Sequence, residues 1–300
     1  MSAHVISDTA TLTGRSLRHI LRSPDTIITT AVMPIAMMLM FVFVFGGALR
    51  SGDFEGPYVN YLLPGILLIT VASGISYTAL RLFNDLQSGI FERFQSMPIA
   101  RPAVLWAHVL TSLIANLVSV AVVILVAMLL GFRSNASVLE WLAIAGIITL
   151  FTLALTWVAV IPGLLAKSPD GAGAFAYPLI FLPFLSSAFV PTHTMPGPLR
   201  AFAEHQPVTS IVNSIRALFE GRPVGAEIWV AMAWCIGILL AAYVASVAVY
   251  RRKMRKRKTN AGTPCFRARR GSRLCVGGGS AERSPLNEPQ SASDATRLWC

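Results

Sequence analysis

The stretch VLWAHVLTSLIANLVSVAVVILVAMLLG, residues 104–131, runs for 28 positions with His108 as its only ionisable side chain. An α-helix needs about 20 apolar residues to cross the hydrocarbon core of a bilayer. This segment exceeds that length and reads as a transmembrane helix. The same reading repeats along the chain. Ile27 to Gly47 is uncharged and ends in Gly46-Gly47, and a second uncharged run covers about Tyr61 to Leu80. A fourth span, about Leu139 to Ala166, carries Glu140 at its edge and Pro162 near its end. The fifth, Ala172 to Val190, is interrupted by Pro178 and Pro183, which predicts a kinked or re-entrant segment. The last, Ile228 to Tyr250, stops at Arg251-Arg252-Lys253. The expectation is six spans.

Composition agrees. The 300 residues are 54% hydrophobic and 13% charged, about half the charge of an ordinary soluble domain. The net charge of +11 gathers at the chain ends rather than on a folded nucleic-acid-binding module, so it is read as a topology signal and no nucleic-acid partner is expected. With the N-terminus inside, cytoplasmic segments up to Lys258 hold 14 Lys and Arg against 5 in the external loops. Both termini are therefore expected in the cytoplasm. Cys235, Cys265, Cys275 and Cys300 have neither disulfide-framework nor metal-site spacing.

Between the spans, three segments carry pattern. Leu12 to Arg22 puts Leu17, Ile20 and Leu21 on one helical face, and it reads as an interfacial helix ended by Ser23-Pro24. Between the second and third spans, Leu86, Ile90, Phe94 and Met97 form one apolar stripe, closed by Pro98 and Pro102. That stripe needs a cover: the bilayer surface, the protein's own helix ends, or a groove on a soluble partner. Outside, Ile211, Ile215, Leu218 and Phe219 recur at helical spacing before the last span. They predict short helices that dip into the outer leaflet or cap the bundle. From Thr259 onward the chain is rich in Gly, Ser, Arg and Pro without period, a composition that cannot bury a core. The Arg251–Lys258 run is expected to meet anionic lipid. On the last span Gly237, Ala241 and Ala245 form a small face, whose ordinary use is packing inside the subunit.

The chemistry census is mostly exclusion. The chain contains no Gly-x-x-x-x-Gly-Lys-Ser/Thr phosphate loop, no His-Glu-x-x-His and no Gly-x-Ser-x-Gly. No catalytic role is assigned, and no cofactor or metal is expected on this chain. An ion-coupled carrier needs an ionisable group at membrane depth, and Glu140 is the only carboxylate near a span, at its mouth. Energy for any uphill transport is therefore expected from a separate ATPase.

Three stretches carry a resemblance: Tyr61-Leu-Leu-Pro-Gly65; Asn84 through Arg101; and Phe189-Val-Pro-Thr-His-Thr-Met-Pro-Gly-Pro-Leu-Arg200, continued by His205-Gln-Pro207 and Ile215-Arg-Ala-Leu-Phe-Glu-Gly221. Together, over about residues 10–255, they resemble the ATP-binding-cassette type-2 export permeases, particularly the daunorubicin-resistance-like drug-export subunits. The resemblance implies a fold class: an all-α membrane protein of six transmembrane helices with an N-terminal interfacial helix, a cytoplasmic coupling helix and short re-entrant external helices before the last span. By composition the chain divides into a cytoplasmic amphipathic segment (1–26), the six-helix transmembrane domain (27–250) and a basic cytoplasmic tail expected to be disordered (251–300). The resemblance also implies an ABC ATPase subunit as partner, with ATP and Mg bound there, and a homodimer or a pair with a similar permease. Coupling to the ATPase falls, by the same resemblance, on Asp85, Gly89, Glu92, Arg93, Met97 and Pro98. The implied function is export of a hydrophobic or amphipathic compound across the cytoplasmic membrane. Lipid or polysaccharide export by the same plan, and a scaffold recruiting a soluble partner, remain alternatives.

Overall fold

A computed structural model describes residues 25–45, 58–88, 101–190, 192–261, 265–267 and 273–275. The predicted interfacial helix, and all of the coupling segment beyond Ser88 up to Arg101, lie outside these residues. The helices are α1 (Asp25–Met40, prolonged by a π-helical turn Phe41–Phe45), α2 (Tyr58–Gln87), α3 (Arg101–Leu129) and α4 (Val138–Leu165). They continue with α5 (Pro169–Ala174), α6 (Ala176–Phe181), α7 (Gly197–His205), α8 (Pro207–Phe219) and α9 (Glu227–Ala261).

Four of these are long and apolar enough to cross a membrane: α2, α3, α4 and α9. α2 is the hub. It packs against α1, α3, α4, α5, α6 and α8, and Leu62, Leu63, Ile66, Leu67, Ile75, Ala79 and Leu82 along it are fully buried. A helix apolar all round belongs in such a place. α4 opens on a capping box: Glu140 N–H donates to Ser137 Oγ at 3.4 Å, and Ser137 N–H donates to Glu140 Oε2 at 2.6 Å. The carboxylate nearest a span is thus spent on the orphan amides of a helix start.

The predicted fifth span is not one helix. Ser168 caps α5, accepting from Gly171 N–H at 3.1 Å, and Ser76 of α2 donates to Gly173 O at 3.0 Å. The helix then breaks at Phe175, and α6 passes into a 3-10 turn, Leu182–Leu185. Pro178 and Pro183 each remove an amide donor and crowd the preceding turn, which gives short helical pieces rather than a rod. α7 and α8 follow, and Ile211, Ile215, Leu218 and Phe219 are all buried.

α9 is held by a narrow seam, with Ala231, Cys235, Ala242 and Ser246 buried. Ser246 Oγ donates to Trp157 O at 2.9 Å, and Trp106, Trp157 and Tyr243 form an aromatic cluster with centroids 4.9–6.1 Å apart. The small face falls elsewhere. A Cβ on Gly237 would meet nothing within 4 Å, and Ala241 is exposed. Packing inside the subunit, the use expected of that face, is therefore corrected: the seam runs through other residues.

The chain divides into two units, Met1–Val249 and Tyr250–Cys300. In the second, helix continues through the basic run to Ala261, and Cys265–Arg267 pairs antiparallel with Arg273–Cys275. These two short strands are the departure, among the described residues, from an all-α chain.

Candidate functional site

The N-terminal end of α2 carries Tyr58 and Tyr61, with Gly65 one turn further along. Against this edge lies the chain that leaves the 3-10 turn, Ser186 to Phe189. Ser186 Oγ donates to Pro183 O at 2.6 Å and accepts from Ala188 N–H at 3.1 Å, which turns the chain sharply. Ala188 then meets α2 where a Cβ on Gly65 would sit 2.7 Å from its own Cβ. Only glycine leaves room for that approach. Phe189 stacks on Phe184 with centroids 4.6 Å apart and reaches Phe41 at the end of α1.

Arg216 of α8 is the residue that ties this junction. It is 9% exposed. Its Nη2 donates to Ser187 O at 2.9 Å, Tyr61 O at 3.2 Å and Ala188 O at 3.4 Å, and Nη1 donates to Asn213 Oδ1 at 3.4 Å. The guanidinium carbon lies 3.8 Å from the centroid of the Tyr61 ring, a cation–π contact. Tyr61 Oη and Ser187 Oγ complete the set, donating to Ser187 O at 2.9 Å and Asn213 Oδ1 at 2.7 Å. A buried cation survives here because the Ser187 and Ala188 carbonyls, freed by the turn, and the Tyr61 carbonyl of α2 accept its hydrogen bonds. Two more contacts close the region: Gln206 Nε2 donates to Leu185 O at 2.6 Å, and Ser134 Oγ, from the α3–α4 loop, donates to Phe219 O at 3.1 Å.

At the opposite end of α2, Asp85 Oδ2 lies 3.4 Å from His108 Nε2 of α3. This pair joins the two helix ends that flank the predicted coupling segment. Of the residues assigned to coupling, Asp85 stands there; Gly89, Glu92, Arg93, Met97 and Pro98 lie outside the described residues. Sequence reasoning missed the Asp85–His108 pair and counted Arg216 as an external loop charge.

The fold and these two ends define a multi-pass helical membrane protein with an interrupted helix folded back against its central span. The ABC-2 type transporter model matches residues 7–219, and the chain belongs to that family. It is 28% identical over 252 residues to a daunorubicin resistance ABC transporter permease protein of Streptomyces coeruleorubidus, covering 83% of this chain and 84% of the relative. It is 25% identical over 250 residues to a doxorubicin resistance ABC transporter permease protein of Mycobacterium tuberculosis, covering 82% and 89%. Two of the three stretches that carried the resemblance, Tyr61–Gly65 and Phe189–Gly221, meet at the Arg216 junction.

Proposed function

We propose that this chain is the membrane permease subunit of an ATP-driven exporter, moving a hydrophobic or amphipathic compound outward across the cytoplasmic membrane. The family match over most of the chain is the observation that carries the reading. The relatives' names, daunorubicin and doxorubicin resistance permeases, support drug-like amphiphiles as the first cargoes to test. The charge pattern of the spans supports an external energy source, because Glu140 is occupied as a helix cap. ATP and Mg belong, on this reading, to a separate ABC ATPase subunit, and two permeases pair above two ATPases.

Six crossings follow if α1 with its π turn is the first span and α5, α6 and the 3-10 turn form a broken fifth. α7 and α8 are then re-entrant in the outer leaflet, locked by Arg216. The segment from Asp85 to Pro98 docks on the ATPase, and the Asp85–His108 pair fixes the helix ends on either side.

The test is reconstitution of the chain with its ATPase in vesicles containing doxorubicin, with ATP supplied on the ATPase side. ATP-dependent, vanadate-sensitive drug movement supports the reading. Drug movement driven by an ion gradient in the absence of an ATPase would replace it with a carrier. An ATPase complex that forms but moves neither drug, lipid nor polysaccharide would leave a scaffold.

A further inference from the structure

A cleft of about 240 Å³ opens between α1, α2 and α3, toward the C-terminal end of α2. Three of its lining residues, Tyr77, Arg81 and Asn84, stand at i, i+4 and i+7 on α2. That spacing puts them in one row on the helix surface, each a turn from the next. Tyr77 and Asn84 are exposed, and Arg81 is half-buried. α1 and α3 face the row with small side chains, Thr30, Ser112 and Ala115, which keeps the space open. Among the described residues, the three side chains of the row make no hydrogen bond or ion pair within the protein. Tyr77 Oη, the Arg81 guanidinium and Asn84 Nδ2 therefore offer unspent donors to one volume.

The charge in that volume has one sign. Arg81 is the charged group among the described residues that line the cleft. Asp85, one turn beyond on α2, pairs with His108 of α3 at 3.4 Å, and neither of them lines the cleft. Asp85 thus tempers the positive potential there without occupying Arg81. A guanidinium matches phosphate with two parallel N–H donors, and a phosphate beside Arg81 is also within a turn of Tyr77 and Asn84.

Position in the span decides which phosphate. Arg81 lies six residues before Gln87, the end of α2, about 9 Å along the axis at 1.5 Å per residue. A long basic side chain so placed carries its charge to head-group level. On α3, Ala115 of the cleft wall begins a row continued by Val118, Val122, Leu125 and Leu129, all four exposed. Asn60 bonds to Arg133 and Asp85 pairs with His108, so α3 is antiparallel to α2. The row therefore leads from the cleft toward the N-terminal end of α2, across the span. It is an apolar track for acyl chains, which a free phosphate has no use for.

We propose that this cleft binds the phosphate head of an anionic membrane phospholipid, with its acyl chains laid along the exposed row of α3. The phosphate accepts from Arg81, Tyr77 Oη and Asn84 Nδ2. A zwitterionic head is disfavoured, because its cation meets Arg81 with no carboxylate among the described lining residues to hold it. The lipid is a resident one and not cargo, so the site stands apart from the exporter reading above.

Photolabelling of the full chain in nanodiscs tests this. Two phospholipid probes carry the same diazirine in one acyl chain; one has a phosphatidylglycerol head, the other a phosphatidylcholine head. The phosphatidylglycerol probe is expected to label the peptide bearing Val118–Leu125 more strongly than its partner does. Arg81→Gln lowers that labelling roughly tenfold, the worth of one charge-assisted hydrogen bond, and Tyr77→Phe lowers it by a smaller factor. If Arg81→Gln no longer elutes as a monodisperse species, Tyr77→Phe and Asn84→Leu carry the test. Equal labelling by the two probes, or labelling indifferent to these substitutions, overturns the proposal. Labelling that falls only when Arg251, Arg252 and Lys253 are replaced by Gln assigns the lipid to the basic run and overturns it too. Removal of the label by potassium phosphate, where potassium chloride of equal ionic strength leaves it, overturns the lipid in favour of a free phosphate.

Discussion

Arg216 holds two carbonyls that the broken helix leaves free, Ser187 O and Ala188 O, and ties them to Tyr61 O of α2. Replacing it with alanine removes charge-assisted hydrogen bonds worth roughly 1.5–3 kcal/mol each and takes the side-chain donor from Ala188 O, while Ser187 O keeps Tyr61 Oη. The expected net loss is about 3 kcal/mol, read as a lower apparent melting temperature in detergent. Arg216→Lys restores less than half of it, because an ammonium cannot span several carbonyls and stack on Tyr61 as a planar fork does. Full recovery by lysine would mean that charge alone matters there. Gly74 presents a different residue-scale case. A Cβ at this position would sit 1.7 Å from Asn116 Oδ1, so Gly74→Ala is expected to cost about 1–3 kcal/mol by overpacking. The pair Gly74→Ala with Asn116→Ala recovers most of that loss, since the clash is with one side chain. Thermal melts of the two single variants and the double variant in the same detergent measure the coupling.

Elements were legible where one property decided them. The third and fourth spans show long apolar runs, and α3 and α4 follow them closely. α4 also has a cap readable in Ser137 and Glu140: Ser137→Ala is expected to cost about 1 kcal/mol of stability. Glu140→Gln, which retains an oxygen acceptor for the cap, leaves export insensitive to ion gradients. Gradient-dependent activity appearing or vanishing in that variant would restore Glu140 to a transport role. The interrupted fifth span was half legible. Pro178, in the first turn of α6, announces the break at Phe175, and Pro183 the change to a 3-10 turn, but the fold-back onto α2 depends on Gly65 and Ala188, 123 positions apart in sequence. Arg216 was illegible for the same reason. Its three backbone acceptors come from Tyr61, Ser187 and Ala188, so no local window contains the reason for its burial. The small face of α9 misled because a pattern of Gly237, Ala241 and Ala245 shows that close approach is possible, not which neighbour is there.

At the scale of the molecule, these corrections bear on topology. The inside-positive balance counted Arg216 among five external cations against 14 inside. A guanidinium buried against Tyr61 is a structural group and not a loop charge, so removing it makes the asymmetry steeper. The interrupted fifth span does not change parity if Pro169 to Leu185 crosses the bilayer in pieces, because the α3–α4 loop and the α8–α9 loop then lie on one side. Contacts support that placement: Asn135 N–H donates to Phe219 O at 3.0 Å, and Gly221, with φ +67°, sits beside Asn135 O. In a chain whose own cysteines have been replaced, Gly225→Cys is expected to react with an impermeant maleimide added to intact cells. Lys167→Cys, exposed between α4 and α5, reacts only after permeabilisation. Both labels from outside would mean that the fifth segment enters and leaves by the same face, reducing the crossings by one. The reversed pair of results would invert the protein in the membrane and move the Asp85–His108 end, with the coupling role proposed for it, away from ATP.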